Sequence, residues 1–574
     1  MTKPRADSGS LLARSFAQAL LRLERRLGGT AHPDFGDGGP TDREAALASW
    51  AERVWKAAAD GHACVTVDEP AVRQRLASCR VVALGGQDAL PLVLDGAALY
   101  LQRLWQAEAS LAAALVDLDA PAPLADTGLI DTLLAEIAGP EAVDARQRAA
   151  IRTALLRRLA IVTGGPGTGK TTTLARLLVA FSRLAPDARV AIAAPTGKAA
   201  ARLAQALGAQ LGSIDAGGAL AARLPAVGLT VHRLLGLHGS ARQRAQVLRY
   251  DLVIVDEASM LDLEMAATLA ASIPDGGRLV LAGDRDQLAS VEAGAVFAEA
   301  CASPLDGVVR LERNYRQASA PALTALAGWL RDRHRSPEPR PAPFEPAAAV
   351  ELCQPLGAAA IAKQALAAWE PAVARIAAGE HAEPAQAVSI VAAFDRHRVL
   401  CALRDGPLGV ASLNVAIAAR MRERVGALPG ALWYPGRIVI VVRNRPELGL
   451  ANGDVGICLP LPAAGATTTA APLAVAFDTG GALRWLPVRQ MPAHDDAFAM
   501  TVHKAQGSEF DSVALVAAPR GHRLNTRELL YTGATRARAR LAVWADPAAI
   551  EDGAMRRTER HGRLADRIAR LRAA

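Results

Sequence analysis

Between about residue 128 and 330 the apolar positions fall in short continuous runs, LAIVTG, RVAIAAPT, DLVIVDE and GRLVLAGD, each leading into a stretch with helical spacing. Unbroken apolar runs of this length belong to strands buried on both faces, so the segment predicts a parallel sheet covered by helices. A second alternating region spans about 350 to 574, with strands predicted at AVSIVAAF, SVALVAA and RLAVWA. Inside it, 434–495 is richer in strand and turn character (GRIVIVVRN, NGDVGI, PLAVAFD) and predicts a small β-barrel insertion. The N-terminal stretches SLLARSFAQALLRLERRL and DREAALASWAERVWKAA place apolar residues one helical turn apart, with a Gly/Pro-rich break from Gly36 to Pro40 between them. The expected architecture is α/β: a mainly helical domain over 1–125, a first parallel-sheet domain over 126–335, and a stiff, exposed proline-rich linker over 336–347. A second parallel-sheet domain carrying the insertion follows over 348–574.

Composition narrows the class. At 51% hydrophobic and 21% charged over 574 residues, the chain is too apolar to be disordered. No apolar run of about 18 residues occurs, so a membrane span is not expected. The first residues, MTKPRADSGSLLARSF, lack the apolar core of a secretory signal. Cys64, Cys79, Cys301, Cys353, Cys401 and Cys458 are scattered without a CxxC pair, which argues against a disulfide framework or zinc site and for a reducing cytoplasm. The net charge of +8 permits a polyanionic partner without demonstrating one. More telling, only six basic residues are lysine against 59 arginines, and three of the six fall inside the motifs below. A lysine that survives such a bias is expected where the position calls for a compact ammonium rather than a flat guanidinium.

Gly164-Gly165-Pro166-Gly167-Thr168-Gly169-Lys170-Thr171 fits GxxxxGK[ST] between an apolar strand and the helical TTTLARLLVAF that begins at Thr171. Glycines there let backbone N–H groups wrap phosphates at a helix N-terminus, Lys170 reaches the β/γ-phosphates, and the Thr171 hydroxyl can ligate Mg²⁺. The strand DLVIVDE delivers Asp256 and Glu257 at its C-terminal end, where ligands bind in open α/β sheets. Asp256 can hold the Mg²⁺ and Glu257 can activate water, so the expected chemistry is phosphoryl transfer to water. Gln287, in GDRDQL, is either a γ-phosphate sensor or part of a polar turn. Arg316 and Arg536 are candidate arginine fingers among many arginines whose ordinary role is surface solvation. Pro195-Thr196-Gly-Lys198, Thr230-Val-His232 and Thr501-Val-His503-Lys504 each offer hydroxyls, a basic or imidazole group and helix N-terminal amides, the ingredients for gripping phosphates without reading sequence. Taken singly, each is also a plain helix cap. Aromatics make up 4% of the chain, so a base-stacking platform drawn from Phe394, Trp433 and Tyr434 would be small, and core packing is the competing role for each.

The ordered series GGPGTGKTT, APTGKAAARL, TVHRLLG, VDEASM, GDRDQLASVEAG, ERNYRQ, MTVHKAQGSEF and ELLYTGATRAR resembles the RecD family of superfamily 1 DNA helicases over roughly 140–545. The resemblance implies two RecA-like halves with ATP and Mg²⁺ between them and an SH3-like barrel in the second. In this likeness Gln147 reads adenine, Gly164 to Thr172 (Thr172 included) cradle the phosphates, and Asp256 and Glu257 serve Mg²⁺ and water. Gln287, Arg316 and Arg536 surround the γ-phosphate, with both arginines closing from the second half. Pro195, Thr196, Lys198, Thr230, His232, Thr501, His503 and Lys504 become single-strand DNA contacts. The likeness further implies 5′→3′ movement and membership of an exonuclease V complex with RecB- and RecC-like subunits, a heterotrimer acting on duplex DNA ends in break repair. The nuclease would lie in a partner, since no carboxylate-and-lysine nuclease cluster stands out here. The alternatives are a stand-alone helicase of the same family, a non-translocating ATP- and DNA-binding clamp, and an RNA helicase of the superfamily.

Overall fold

The computed structural model describes residues 8–27, 40–86, 88–137, 144–214, 228–237, 246–317, 319–336, 338, 341–344, 349–461, 472–478 and 482–574. Half of the proline-rich stretch 336–347 and the segments 462–471 and 479–481 of the expected barrel lie outside the described residues.

All four apolar runs of the first region are strands of one parallel sheet. Its order is Val308–Arg310, Leu159–Thr163, Arg278–Gly283, Leu252–Val255, Val190–Ala194, Leu229–Thr230. One face packs under the helices Thr127–Glu136, Ala145–Leu156 and Lys170–Leu184 through Ala160, Val162, Ile254 and Val280. The opposite face, through Leu159, Ile161, Val253, Val255 and Leu281, shares a core with the N-terminal residues. This two-sided burial is why the strands read as unbroken apolar runs rather than as alternating ones.

The second parallel sheet has the order Val350–Cys353, Ala537–Trp544, Phe510–Val516, His397–Cys401, Ala499–Thr501. SVALVAA and RLAVWA lie in its strands, but AVSIVAAF does not. Residues Pro384–Asp395 form a helix that buries Ala387, Ile390, Val391 and Phe394, a spacing of three, one and three that only a helix puts on one face. Pro384 at the first helical turn was the local signal for it. The strand is the next segment, His397–Cys401. The helix Pro321–Asp332 also buries Leu323, Leu326 and Leu330 in the core of this second lobe. The chain therefore crosses between lobes over 311–320, ahead of the proline-rich stretch, and Arg316 sits at the crossing.

The region 434–495 contributes most of a five-stranded antiparallel sheet of order Leu483–Pro487, Leu473–Asp478, Val455–Pro460, Ile438–Val441, His494–Asp496. Among the described residues its two edge strands do not pair with each other, so the sheet is open there. Alternation gives it two faces: Ile438, Ile440, Ile457 and Leu459 join the second-lobe core, while Val439, Val441, Cys458 and Val475 form a small core of their own.

The N-terminal region combines helices Ser8–Arg26, Pro40–Ala59, Pro70–Ala77 and Gln102–Leu118 with a four-stranded sheet that periodicity did not announce, because its strands are three or four residues long. The last helix, Leu564–Ala573, leaves the second lobe and returns to this region. It buries Leu564 and Ile568, Arg567 donates to Glu108 at 2.7 Å, and Arg572 donates to Asp119 at 2.6 Å and Asp306 at 2.9 Å. No described helix is long and apolar enough to cross a membrane, and the six cysteines are free thiols.

Glu299 accepts the Leu564 N–H at 2.9 Å, at the start of that last helix. Burial, and then the neighbouring Glu108 carboxylate, push the Glu299 carboxyl up to about 7 from an ordinary 4.5. The folded state thus holds a proton that the unfolded chain releases, and this contribution to stability falls as pH rises from about 4.5 to about 7. Glu299→Gln is expected to raise the melting temperature by a few degrees near about pH 8 and to leave it unchanged near about pH 4.5. Thermal melts of both proteins at the two pH values check this.

Candidate nucleotide and polynucleotide site

The first-sheet strand Leu159–Thr163 runs directly into the loop and helix of the GxxxxGK[ST] motif. Gly167 and Gly169 have φ of 78° and 80°, in the left-handed region that L side chains avoid. A Cβ on Gly169 would also stand 2.4 Å from the Gln147 amide nitrogen. Both requirements explain the glycines: the loop must turn its N–H groups inward while neighbouring side chains press on its outside. Lys170 Nζ donates to the Gly164 carbonyl at 2.6 Å, so the ammonium lies within the loop.

At the end of the strand Leu252–Val255, Glu257 has φ 54°, the one left-handed residue besides glycine among those described. Such a conformation costs on the order of 1–3 kcal/mol and is kept where the surroundings enforce it. Here Asp256 Oδ1 accepts the Glu257 N–H at 2.8 Å. The strain presents Glu257 to the same cavity as Asp256. Burial, and then the adjacent Glu257 carboxylate, hold Asp256 above the ordinary carboxylate range, while Lys170 pulls it down.

That cavity, of about 350 Å³, lies between the lobes. From the first lobe it is lined by Pro166, Gly167, Thr168, Gly169, Lys170, Thr171, Thr172, Asp256, Glu257 and Gln287, and from the second by Glu509 and Arg536, with Arg316 contributed by the crossing segment. Gly164 and Gly165 line a neighbouring cavity that shares Pro166, Thr168 and Arg316 with it. Six expected chemical groups thus meet in one space although they are spread over more than 360 positions of the chain. Arg536 is 3% exposed and donates to the Thr532 and Ser508 carbonyls at 3.1 and 3.2 Å. Arg316 was expected to approach from the second half; it reaches the seam from the crossing itself and donates to Glu509 at 2.8 Å.

Gln147 does not line this cavity. It is buried behind the loop, donating to the Thr168 carbonyl at 3.3 Å and accepting from Arg176 at 3.2 Å. In this arrangement it braces the phosphate loop.

Glu509 is a residue the sequence reading passed over. It accepts from Arg316, from Arg202 of the first lobe and from Arg538 of the second. Burial alone would raise its carboxyl, yet Arg202, Arg316 and Arg536 together hold it well below the usual carboxylate range. Its place within MTVHKAQGSEF offered no signal, because the arginines that define its role come from distant segments. Three further seam contacts were equally silent. Tyr531 donates to Asp284 at 2.9 Å, Thr532 accepts the Leu288 N–H at 2.8 Å, and Gln506 donates to the Leu288 carbonyl at 3.0 Å.

Of the expected polynucleotide groups, Thr196 and Lys198 approach the second lobe. Thr196 follows Pro195 at the end of a strand and its hydroxyl accepts the Ala199 N–H at 3.2 Å. Lys198 stands 4.0 Å from Asp395 of the second lobe. Thr230 caps a short helix that carries exposed His232, and Leu229–Thr230 pairs beside Ala193–Ala194. In the second lobe the Thr501 hydroxyl accepts the Lys504 N–H at 3.2 Å, and Lys504 pairs with Asp495 at 3.3 Å. Burial lowers the His503 imidazole below its ordinary range. A Cβ on Gly507 would lie 3.8 Å from the Thr196 hydroxyl, so the two lobes' motif loops abut. Phe394 and Tyr434 are buried in the second-lobe core, whereas Trp433 is half-buried with Arg437 over its ring at 4.5 Å.

These features define a class: a two-lobed P-loop ATPase whose reaction space is completed by residues of both lobes. Residues 142–339 match the family described as an AAA domain, and 496–544 match a UvrD-like helicase C-terminal domain. The RecBCD enzyme subunit RecD of Mycobacterium tuberculosis strain H37Rv is 36% identical over 511 residues, covering 83% of this chain and 80% of that one. The subunit of the same name from Mycolicibacterium smegmatis is 36% identical over 508 residues, covering 82% and 83%. The ATP-dependent RecD2 DNA helicase of Deinococcus radiodurans is 31% identical over 509 residues, covering 86% of this chain and 63% of that protein. Among solved structures, the Pif1 helicase from Candida albicans has a TM-score of 0.39 at 17% identity, covering 75% and 99%. The chain belongs to the RecD family and is a RecD-type helicase.

Gly169→Ala is expected to weaken nucleotide binding at least tenfold, since the added methyl meets Gln147 and strains a left-handed backbone; titration with a fluorescent nucleotide reads it. Glu509→Gln leaves Arg316 and Arg202 without their shared anion and is expected to lower steady-state ATP turnover by about tenfold or more, measured in the presence of single-stranded DNA.

Proposed function

We propose that the chain is an ATP-driven motor that moves 5′→3′ along one DNA strand and separates the duplex ahead of it. It acts as the RecD-type subunit of a heterotrimer with RecB- and RecC-like chains, processing duplex ends in double-strand-break repair. The observation that carries this reading is that one inter-lobe cavity gathers Lys170, Asp256, Glu257, Gln287, Arg316 and Arg536.

Along this cavity and its neighbour, Gly164 to Thr172 wrap the triphosphate with backbone N–H groups and Lys170 neutralises the β/γ-phosphates. The Thr171 hydroxyl and the Asp256 carboxylate line one cavity and form a hard-oxygen pair suited to Mg²⁺, which when bound offsets phosphate charge. Glu257 takes the proton of the attacking water, Gln287 contacts the γ-phosphate region, and Arg316 and Arg536 stabilise the charge that builds in the transition state. Closing the cleft brings the lobes together and opening it parts them. The grip of Thr196, Lys198, Thr230 and His232 then shifts against that of Thr501, His503 and Lys504 by about one step per ATP. The antiparallel sheet around 438–496 is an SH3-like brace beside the second grip, to which Asp495 joins it through Lys504. Nuclease activity of the complex belongs to a partner subunit, and the complex works in the cytoplasm.

The relatives named as RecBCD subunits support the heterotrimer; the Deinococcus relative, named as a helicase in its own right, favours a stand-alone motor as the second reading. A strand-displacement assay on 5′- and 3′-tailed duplexes, with and without co-expressed RecB- and RecC-like chains, distinguishes them. The expected result is unwinding of the 5′-tailed duplex only, weak alone and strong in the complex. Full activity of a clean monomer favours the stand-alone motor, and 3′-tail preference overturns the polarity. Glu257→Gln is expected to cut ATP turnover by at least about 100-fold with nucleotide affinity retained; wild-type turnover in that variant would remove Glu257 from its role.

A further inference from the structure

The helix Arg527–Ala534 touches the first lobe at two consecutive residues and leads directly to Arg536. Tyr531 donates its hydroxyl to Asp284 Oδ2 at 2.9 Å, and Thr532 accepts the Leu288 N–H at 2.8 Å. Asp284 is 1% exposed and belongs to the other lobe. Its Oδ1 accepts the Asp286 N–H at 3.0 Å, and its Oδ2 also accepts from the Gln287 side-chain amide at 3.3 Å. One carboxylate oxygen is therefore shared between a phenol of the second lobe and the amide of a cavity-lining residue of the first. Gln287 Oε1 is buried and has no partner in this arrangement, so the contact with Asp284 is what fixes the amide's orientation. A buried acceptor with several fixed donors holds its neighbours far more rigidly than a solvated one.

We propose that Tyr531 is a positioning residue: through Asp284 it sets the Gln287 amide in the reaction cavity and registers it against Arg536 on the same stretch of the second lobe. Hydrolysis is then fast only when the second lobe is docked, because undocking removes the Tyr531 hydroxyl from Asp284 and frees Gln287 to turn. The relay ties the chemical step to lobe position through Asp284, and because the Tyr531 hydroxyl also lies beside Gly165 of the phosphate loop, unchanged nucleotide affinity is part of its test. It rests on the ATPase reading above and adds a residue to it.

The test uses Tyr531→Phe, which keeps the ring and removes the donor, together with Asp284→Asn and the double variant, in the full chain with single-stranded DNA. The relay predicts about a tenfold fall in kcat for ATP hydrolysis in Tyr531→Phe, with KM for ATP and fluorescent-nucleotide affinity within about twofold of wild type. It also predicts that the double variant is no slower than the slower single variant, since both cut one path. Hydrogen exchange over 284–290 in the nucleotide-free protein should rise in Tyr531→Phe, a readout that holds even if turnover is lost through misfolding elsewhere. Wild-type kcat in Tyr531→Phe, multiplicative losses in the double variant, or unchanged exchange over 284–290 would each overturn the relay. Absence of DNA-stimulated ATP hydrolysis in the wild-type chain would instead contradict the motor reading itself.

Discussion

The first sheet brings the C-terminal ends of its strands, and the second sheet the N-terminal ends of Phe510–Val516 and Ala537–Trp544, against a common seam, and the chemistry of that seam depends on how charge is balanced there. Lys170, Arg202, Arg316, Arg536, Asp256, Glu257 and Glu509 are drawn into one cavity from segments hundreds of residues apart. Removing such groups from water is costly unless each finds a partner, and Glu509 supplies the shared anion that lets several guanidiniums gather.

The rest of the fold holds this seam in register. The first sheet is buried on both faces, by helices on one side and the N-terminal region on the other, so the phosphate loop rests on a rigid base. The last helix pins the N-terminal region to the first lobe through Arg567 and Arg572, while the segment just before it still comes from the second lobe. The second lobe also reaches the N-terminal region, where Arg523 donates to Asp60 at 3.1 Å, and Arg560, just before the last helix, donates to the Ser290 carbonyl of the first lobe at 3.0 Å.

Much of this could be read along the chain, for definite reasons. The phosphate loop was legible because two glycines must adopt left-handed backbone and the flanking strand and helix have distinct periods. Asp256 and Glu257 were legible because an apolar strand ends in two carboxylates. AVSIVAAF misled because a buried helix and a buried strand can both present a continuous apolar run; only its burial spacing and Pro384 separate them. The N-terminal sheet escaped notice because strands of three or four residues carry too few alternations to show a period. Glu509, Tyr531 and Gln506 were invisible for another reason. Their roles are defined by partners across the seam, and no local pattern encodes a contact between residues 284 and 531. Gln147 illustrates the same gap from the other side, since its place behind the phosphate loop follows from packing against Thr168 and Arg176.

The account turns on both arginines reaching the terminal phosphate when the lobes close. A structure of the full chain with ADP–aluminium fluoride, Mg²⁺ and a short single strand of DNA tests it most directly. The account predicts guanidinium nitrogens of both Arg316 and Arg536 within about 3 Å of the fluoride ligands, with Arg316 released from Glu509. Arg536 still bonded to the Ser508 and Thr532 carbonyls and out of reach of the phosphate mimic would contradict it.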